Sequence, residues 1–423
     1  MKSAAARAIR FSPAGERAGP PTIARLMAMA LENPRLLSLA AGFTDNRTLP
    51  VAAVQAAMAA LASRPGEPEY LQYGTNLGRP RLRELLGERL RSREPALAGA
   101  AGPETMFVTN GSQQALYLAM QVLCTEGDSV FVDRPSYFVF LEMLAGLGIR
   151  ARSMPVGADG RLDLPALGAR LDELARSGEI ARVKALYFVS YFSNPSGRSL
   201  DAGEKTGLAR VLADRGLHLP VIEDAAYRDL HFRQPPETPA TVGLTAWREF
   251  PLLYLATLTK PFATGLKVGY GHCTSADWLF RMACLKGHHD FGTANFTQAL
   301  LEEVLANGSF DRHLAVVRPA YERKMRALHE TLETEGLRGG GWRWEVPEGG
   351  LYLWLQAPAT IDTGMASAFC QACIAEGVLY VPGELCFGDE PRRNCVRLSF
   401  GVLDEDHLRE AGRRFARVAR RLA

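Results

Sequence analysis

Lysine is scarce in this chain: seven residues against 42 arginines. An amine retained where guanidinium is the default cation marks a candidate for chemistry, because an ammonium can give up its proton and a guanidinium effectively cannot. Long apolar runs are missing too. No window approaches the roughly 18 uninterrupted apolar residues of a membrane-crossing helix. The seven cysteines are an odd number in 423 residues, with no secretory leader before them; that argues against a disulfide framework and for reduced thiols in the cytoplasm. Excess charge is lacking as well, at a formal net +3, and the absence of a concentrated basic stripe excludes an obligate nucleic-acid partner. What is present is ordinary globular composition, 47% hydrophobic and 22% charged, in a chain long enough for a large core and two or three domains.

Residues 1–20 are basic, small and rich in Gly and Pro, and read as a flexible arm; they lack the apolar segment of a leader. Helical periodicity follows in PTIARLMAMALENPR and VAAVQAAMAALASR. The middle of the chain then alternates short apolar runs with amphipathic stretches. MFVTN, SVFVDRP, ALYFVS, LPVIED, LLYLATLTK and VGYGHC are rich in β-branched and aromatic residues and apolar on both faces. Strands of that kind belong to a sheet covered on both sides. The pattern predicts an α/β doubly wound fold with a largely parallel sheet and room for one antiparallel pair between the last two strands. From about residue 307 a long charged helix precedes shorter strands (WRWEVP, GLYLWLQ, CVRLSF), the texture of an α+β unit. We expect a large domain over 50–306 and a small one from 21–49 and 307–423. The arginines of the last helix read as a solvated face.

Ligands in open α/β sheets bind beyond the carboxyl ends of the strands, and four such ends are polar here. In TNGSQQ, Ser112 and Gln113 open a helix directly after a strand, where free N–H groups and the helix dipole suit a phosphate. In SNPSG, Asn194 sits in a turn. In VIEDAAY, Asp224 ends an apolar strand and Tyr227 follows three residues later; a carboxylate buried there needs a cation or donor to meet it. In LATLTKPFATGLK, Lys260 ends another apolar strand, three residues after Thr257 and seven before Lys267. A lysine in a semi-apolar pocket has a lowered pKa and serves as nucleophile and base.

Taken one at a time these are a helix cap, a turn, a salt bridge and a surface lysine. Taken in order, with LAAGFTDNRTLP, LQYGTNLGRPRLRELL, DRPSY, PEGGLYLWL, YVPGELCF and VRLSF, they make the chain resemble the fold-type I pyridoxal-phosphate enzymes. Specifically it resembles the class I/II aminotransferases of the branch that holds 2-aminoadipate and kynurenine aminotransferases and the effector domains of MocR-type regulators. The resemblance implies a large domain with a mostly parallel seven-stranded sheet plus a smaller α+β domain. It implies pyridoxal 5'-phosphate as cofactor, with Lys260 bonding to its aldehyde and moving a proton, Asp224 against the ring nitrogen, Asn194 and Tyr227 on the phenolic oxygen, and Tyr137 stacked on the ring. Ser112, Gln113, Thr257 and Lys267 would hold the phosphate. Tyr73 would reach the neighbouring subunit's phosphate, making the unit a homodimer. Arg397, Asn194 and Gly42 would meet the substrate carboxylate, the arginine by a bidentate fork. No metal is implied: Cys370 and Cys373 form a single C-x-x-C with no second pair, and His288-His289 is expected between helices.

One position departs from the family pattern. Lys267 stands where the family has arginine, and a point charge holds phosphate with fewer fixed donors, so weaker cofactor retention is expected. The implied reaction moves the amino group of an L-amino acid to a 2-oxo acid, by resemblance 2-oxoglutarate, in a ping-pong cycle. Relatives that take 2-aminoadipate carry an arginine directly after Thr-Ile; here Ala24 follows Thr22-Ile23 and Arg25 comes one residue later. A one-residue step turns a helical side chain by about 100°, which favours neutral or aromatic donors. Elimination, cyclisation or decarboxylation on the same cofactor is the alternative, since it would keep the same residues. A MocR-type regulator carries a DNA-binding module of several tens of residues before this domain, where only about 20 stand here, so an enzyme is expected.

Overall fold

The computed structural model describes residues 9–422 apart from Pro34, Pro65 and Ala98. The first eight residues of the expected arm lie outside the described residues. Within the rest of it, Pro13–Arg17 forms a short helix capped by Ser12, and Arg17 donates from Nε to the Gly146 carbonyl (3.1 Å) and pairs with Glu126 at 2.7 Å.

After the two-residue strand β1 (Leu37–Ser38), the apolar runs of the middle region become β2 (Met106–Asn110), β3 (Ser129–Val132), β4 (Arg150–Ser153), β5 (Val183–Val189), β6 (Val221–Asp224), β7 (Leu252–Thr257) and β8 (Val268–Cys273). They form one seven-stranded sheet in the order β2-β8-β7-β6-β5-β3-β4. Every residue of β3, β6, β7 and β8 is buried, as strands covered by helices on both faces must be. Six of the seven strands follow the apolar runs. The seventh, β4, reads RARS and lies at the edge, where one flank is free and polar residues cost little.

The antiparallel content is larger than the single pair expected. β8 runs antiparallel to β7 and also to β2, because β7 and β8 are joined by only ten residues, too few for a parallel crossover. Those ten residues, 258–267, carry both Lys260 and Lys267.

The C-terminal part builds a second layer. Strands β9 (Tyr352–Gln356), β10 (Val378–Leu379), β11 (Val381–Pro382) and β12 (Cys395–Ser399) follow the long helix Ser309–Thr334. β11-β12-β9 is an antiparallel sheet. The run WRWEVP is not a strand; it makes one isolated bridge, Arg343 to Gln356. β10 pairs in parallel with β1, which ties residues 37–38 to the C-terminal layer. The last helix, Glu405–Arg421, buries Leu408, Phe415 and Val418. Its arginines lie outward, pairing with Glu410, Glu376 and Glu335. Among the described residues no helix is long and apolar enough to cross a membrane.

Candidate active site

The carboxyl ends of β5, β6 and β7 converge under the C-terminal sheet, and the polar residues gather there. Asp224 closes β6 and is 4% exposed. Its carboxyl accepts from the Tyr187 hydroxyl (3.1 Å) and the Ala226 amide (3.0 Å). Burial pushes this carboxyl up to about 6, because desolvation penalises the charged form more than two neutral donors repay. Its neighbour Glu223 shows the opposite solution: it points to the other face, pairs with the buried Lys205 at 2.8 Å, and its pKa falls. Among the described residues the site carboxyl has no such cation.

Lys260 follows β7. Its ammonium donates to the carbonyl of Gly42 at 2.6 Å, and burial, with Arg397 and Lys267 nearby, lowers its pKa. The Gly42 carbonyl is reachable because the residue has no side chain: a Cβ there would stand 2.8 Å from the Tyr352 hydroxyl. Tyr352, on β9, also shares a 3.1 Å hydrogen bond with the Tyr227 hydroxyl, the two rings meeting edge to face.

Arg397 lies on β12, 1% exposed. It donates to Asn194 Oδ1 (2.8 Å) and to the Ala40 carbonyl (2.6 Å), and its Nε is buried without a partner. The guanidinium sits over the Tyr352 and Phe138 rings, 4.4 and 5.4 Å from their centroids. Asn194 is presented by the turn after β5, through a cis bond to Pro195. Tyr137 precedes the helix Phe138–Gly146; its phenol is raised by burial and by nearby Tyr352 and Asp224.

A second group gathers around Gly269. In register, Gly269 faces Thr109 on β2 and Thr257 on β7. A Cβ at Gly269 would come within 2.4 Å of Gly111 C and Ser112 N, so the start of the helix Gly111–Leu123 is pressed onto β8 beside Thr257. That helix has no side-chain cap bond from Asn110. Gln114 turns inward instead, accepting from the Asn110 amide (2.8 Å) and donating to Asp290 (2.7 Å), which leaves Ser112 and Gln113 half-buried at the helix start. Lys267 enters β8 in the left-handed region, φ 56°, with its side chain exposed.

Tyr73 stands apart from these groups within its own chain, 78% exposed and edge-on to the exposed Phe291 at 5.4 Å. His288 and His289 are not between helices but close the helix Ala276–His289, and His289 Nδ1 lies 3.0 Å from Gln114 Nε2. Arg25 is exposed on the helix Thr22–Glu32 while Leu26 packs inward. Tyr352, Tyr187 and Gln114 went unnamed in the sequence reading. The spacing of Tyr352 on the alternating run GLYLWLQ held the signal: it shares the face of its strand that carries the site.

A cluster of this kind, with a buried carboxyl, a depressed lysine, a buried arginine and a helix start beside a sheet edge, defines a class of protein that the comparisons identify. The family model for aminotransferase class I and II matches residues 34–415, and the chain belongs to that family: it is a pyridoxal-phosphate-dependent transaminase. Similar proteins include the aromatic-amino-acid aminotransferase 1 of Thermococcus litoralis, 28% identical over 91% of this chain and 88% of that one. Among solved structures, the kynurenine aminotransferase of Pyrococcus horikoshii aligns with TM-score 0.86 at 26% identity, over 97% of both chains. LysN, the α-aminoadipate aminotransferase of Thermus thermophilus, complexed with N-(5'-phosphopyridoxyl)-L-leucine, aligns with TM-score 0.82 at 28% identity, also over 97% of both.

The residues present fit the cofactor. A protonated pyridine nitrogen is the cation that Asp224 lacks, a lowered lysine suits an aldehyde, and the uncapped helix start beside Thr257 and Lys267 suits a phosphate.

Proposed function

We propose that Lys260 is the residue that bonds to the cofactor aldehyde and afterwards carries a proton to and from the substrate Cα. Asp224 holds the ring nitrogen protonated. Asn194 and Tyr227 donate to the phenolic oxygen, Tyr137 lies on the ring face, and Ser112, Gln113, Thr257 and Lys267 hold the phosphate. When bound, the cofactor supplies a conjugated pyridinium that takes up the electron pair released at Cα. Arg397, oriented by Asn194 and Ala40, clamps the substrate carboxylate beside Gly42. Tyr73, from a neighbouring copy, completes the phosphate contact, so the working unit is a homodimer, in the cytoplasm.

The observation that carries this reading is the pairing of two cations across one gap. The Lys260 ammonium rests on Gly42, and Arg397 rests on Ala40, two residues away. A carboxylate held by the arginine places its neighbouring Cα toward the lysine. The donor is a neutral or aromatic L-amino acid and the acceptor 2-oxoglutarate. Support for the donor comes from the exposed placement of Arg25 and from relatives named for aromatic amino acids and kynurenine.

The test is absorbance of the purified holoenzyme on adding single amino acids without an oxo acid. The band of the lysine-bound cofactor should convert to the shorter-wavelength pyridoxamine form with phenylalanine, tyrosine or leucine, and 2-oxoglutarate should restore it. Conversion by 2-aminoadipate or aspartate alone would overturn the donor assignment. Release of ammonia in place of a recoverable amine form would overturn transamination.

A further inference from the structure

A cavity of about 400 Å³ opens between the two layers, and none of Lys260, Asp224, Tyr227 or Gly42 lines it. It lies behind the Asn194–Arg397 hydrogen bond. The turn after β5 contributes to both places, Asn194 to the reaction centre and Ser193 to this cleft. The same holds for β9. Tyr352, Trp354 and Gln356 alternate along one face of the strand, across from Ser399, Arg397 and Cys395; Tyr352 faces the reaction centre, while Trp354 and Gln356 line the cleft. A size of this order falls within the roughly 300–1,000 Å³ of small-molecule sites.

The lining brings arginines and aromatic rings together. Of its five arginines, three are committed: Arg134 to Asp389 and Glu390, Arg198 to Glu204, and Arg338 to Glu333. The other two, Arg343 and Arg392, are exposed and form no side-chain hydrogen bond or ion pair among the described residues. Trp354 and Phe387 lie 6.2 Å apart by ring centroid on one wall. On the floor, Ser193 is 3% exposed and its hydroxyl is buried without a partner, a cost that native interiors avoid unless something else meets the group. The lining also holds three carboxyls: Asp133, which accepts from Ser136 and from the Val189 amide, Asp159, which accepts from the Arg161 amide, and Glu345, exposed at the rim.

We propose that this cleft is a second small-molecule site, for a planar aromatic carboxylate whose ring lies against Trp354 and Phe387 and whose charge is met by Arg343 and Arg392. The ligand bridges both layers, since Ser193 belongs to the turn after β5 of the large sheet and Trp354, Arg343 and Arg392 to the C-terminal part. It touches the neighbours in sequence or register of two groups at the reaction centre, Asn194 and Arg397, without touching the reacting atoms.

Indole-3-carboxylate is a suitable probe, because it has neither an amino nor an oxo group to exchange. Calorimetric titration into the holoenzyme should give saturable binding with no change in the cofactor absorbance band. Fluorescence should be quenched in step, as Trp344 and Trp354 line the cleft. The double variant Arg343→Glu, Arg392→Glu should bind at least tenfold more weakly while keeping its melting temperature and cofactor band. If that variant loses either, Arg343→Gln with Arg392→Gln replaces it, with at least threefold weakening expected. An unchanged affinity in the variant that folds, a cofactor band that shifts as the probe binds, or no saturable binding would each overturn the proposal.

Discussion

The two halves of the reaction site are prepared to different degrees. Around Asp224, Lys260 and Arg397 nearly every polar atom is buried and already bonded, to Tyr187, Ala226, Gly42, Asn194 and Ala40. Around the helix start, Ser112 and Gln113 are half-buried, Lys267 is exposed, and Tyr73 stands on the outer surface. The difference matches the roles proposed for the two halves. Groups that act on a reacting carbon must be held before the substrate arrives, because reorganising them during the reaction would add to the barrier. Groups that grip a phosphate need only be near, since a doubly charged ligand orders them as it binds.

The prepared half should therefore respond to substitution with losses in handling the substrate, in kcat or in KM, and the rim with losses of cofactor affinity alone. The largest effect belongs to Lys260→Ala, which should abolish the band of the lysine-bound cofactor and lower turnover by at least about 10⁴-fold, the upper range for a positioned acid–base group. Next, Asp224→Asn should cost roughly 10²–10³-fold in kcat, as removal of a preorganised electrostatic partner does, read by single-turnover kinetics. This variant has a second signature. Because burial raises the Asp224 carboxyl to about 6, the cofactor-free native chain loses stability as pH rises from the ordinary carboxylate range through 6. The cofactor-free Asp224→Asn variant lacks that loss, so its melting temperature should gain on the native protein's between about pH 4.5 and 7.5. Cofactor binding, by supplying a cation, should erase the difference.

Arg397→Lys should leave kcat within a few-fold and raise KM roughly 10–100-fold, the worth of a charge-assisted fork against a point charge. At the rim, Tyr73→Phe should raise the cofactor dissociation constant about tenfold, the lower range for one hydrogen bond to a charged group, with kcat unchanged. The smallest effect, and the only gain, is Lys267→Arg, for which a few-fold tighter cofactor retention is expected in equilibrium dialysis. A loss of rate at Lys267 or Tyr73, or a pure affinity effect at Asp224, would break the division between the halves.

Much of this was legible in the sequence, and what escaped has a common cause. The strands and their polar ends follow from local signals: apolar runs of strand length, several ended by a residue that burial would penalise. The edge strand RARS carries no such signal, since half its surroundings are solvent and its pairing with β3 is a tertiary choice. WRWEVP has strand composition but only one bridge, because composition does not supply a partner. Tyr187 and Tyr352 are aromatic residues in strands, indistinguishable from core until the structure shows Asp224 beneath one hydroxyl and Tyr227 beside the other. Gln114 follows Ser112 and Gln113 at the same helix start; which of three adjacent polar residues turns inward depends on Asp290, far along the chain.

One hydrogen bond has a consequence for how the molecule comes into being. Arg397 holds the Ala40 carbonyl across 357 positions of sequence. A ribosome must therefore deliver nearly the whole polypeptide before the guanidinium proposed to grip the substrate can find its seat. Contacts of such long range close late, because the chain surrenders most of its freedom before they repay anything. Chains cut before Arg397 lack the proposed clamp altogether, so on this reading the ability to hold substrate reports that the two ends of the chain have met.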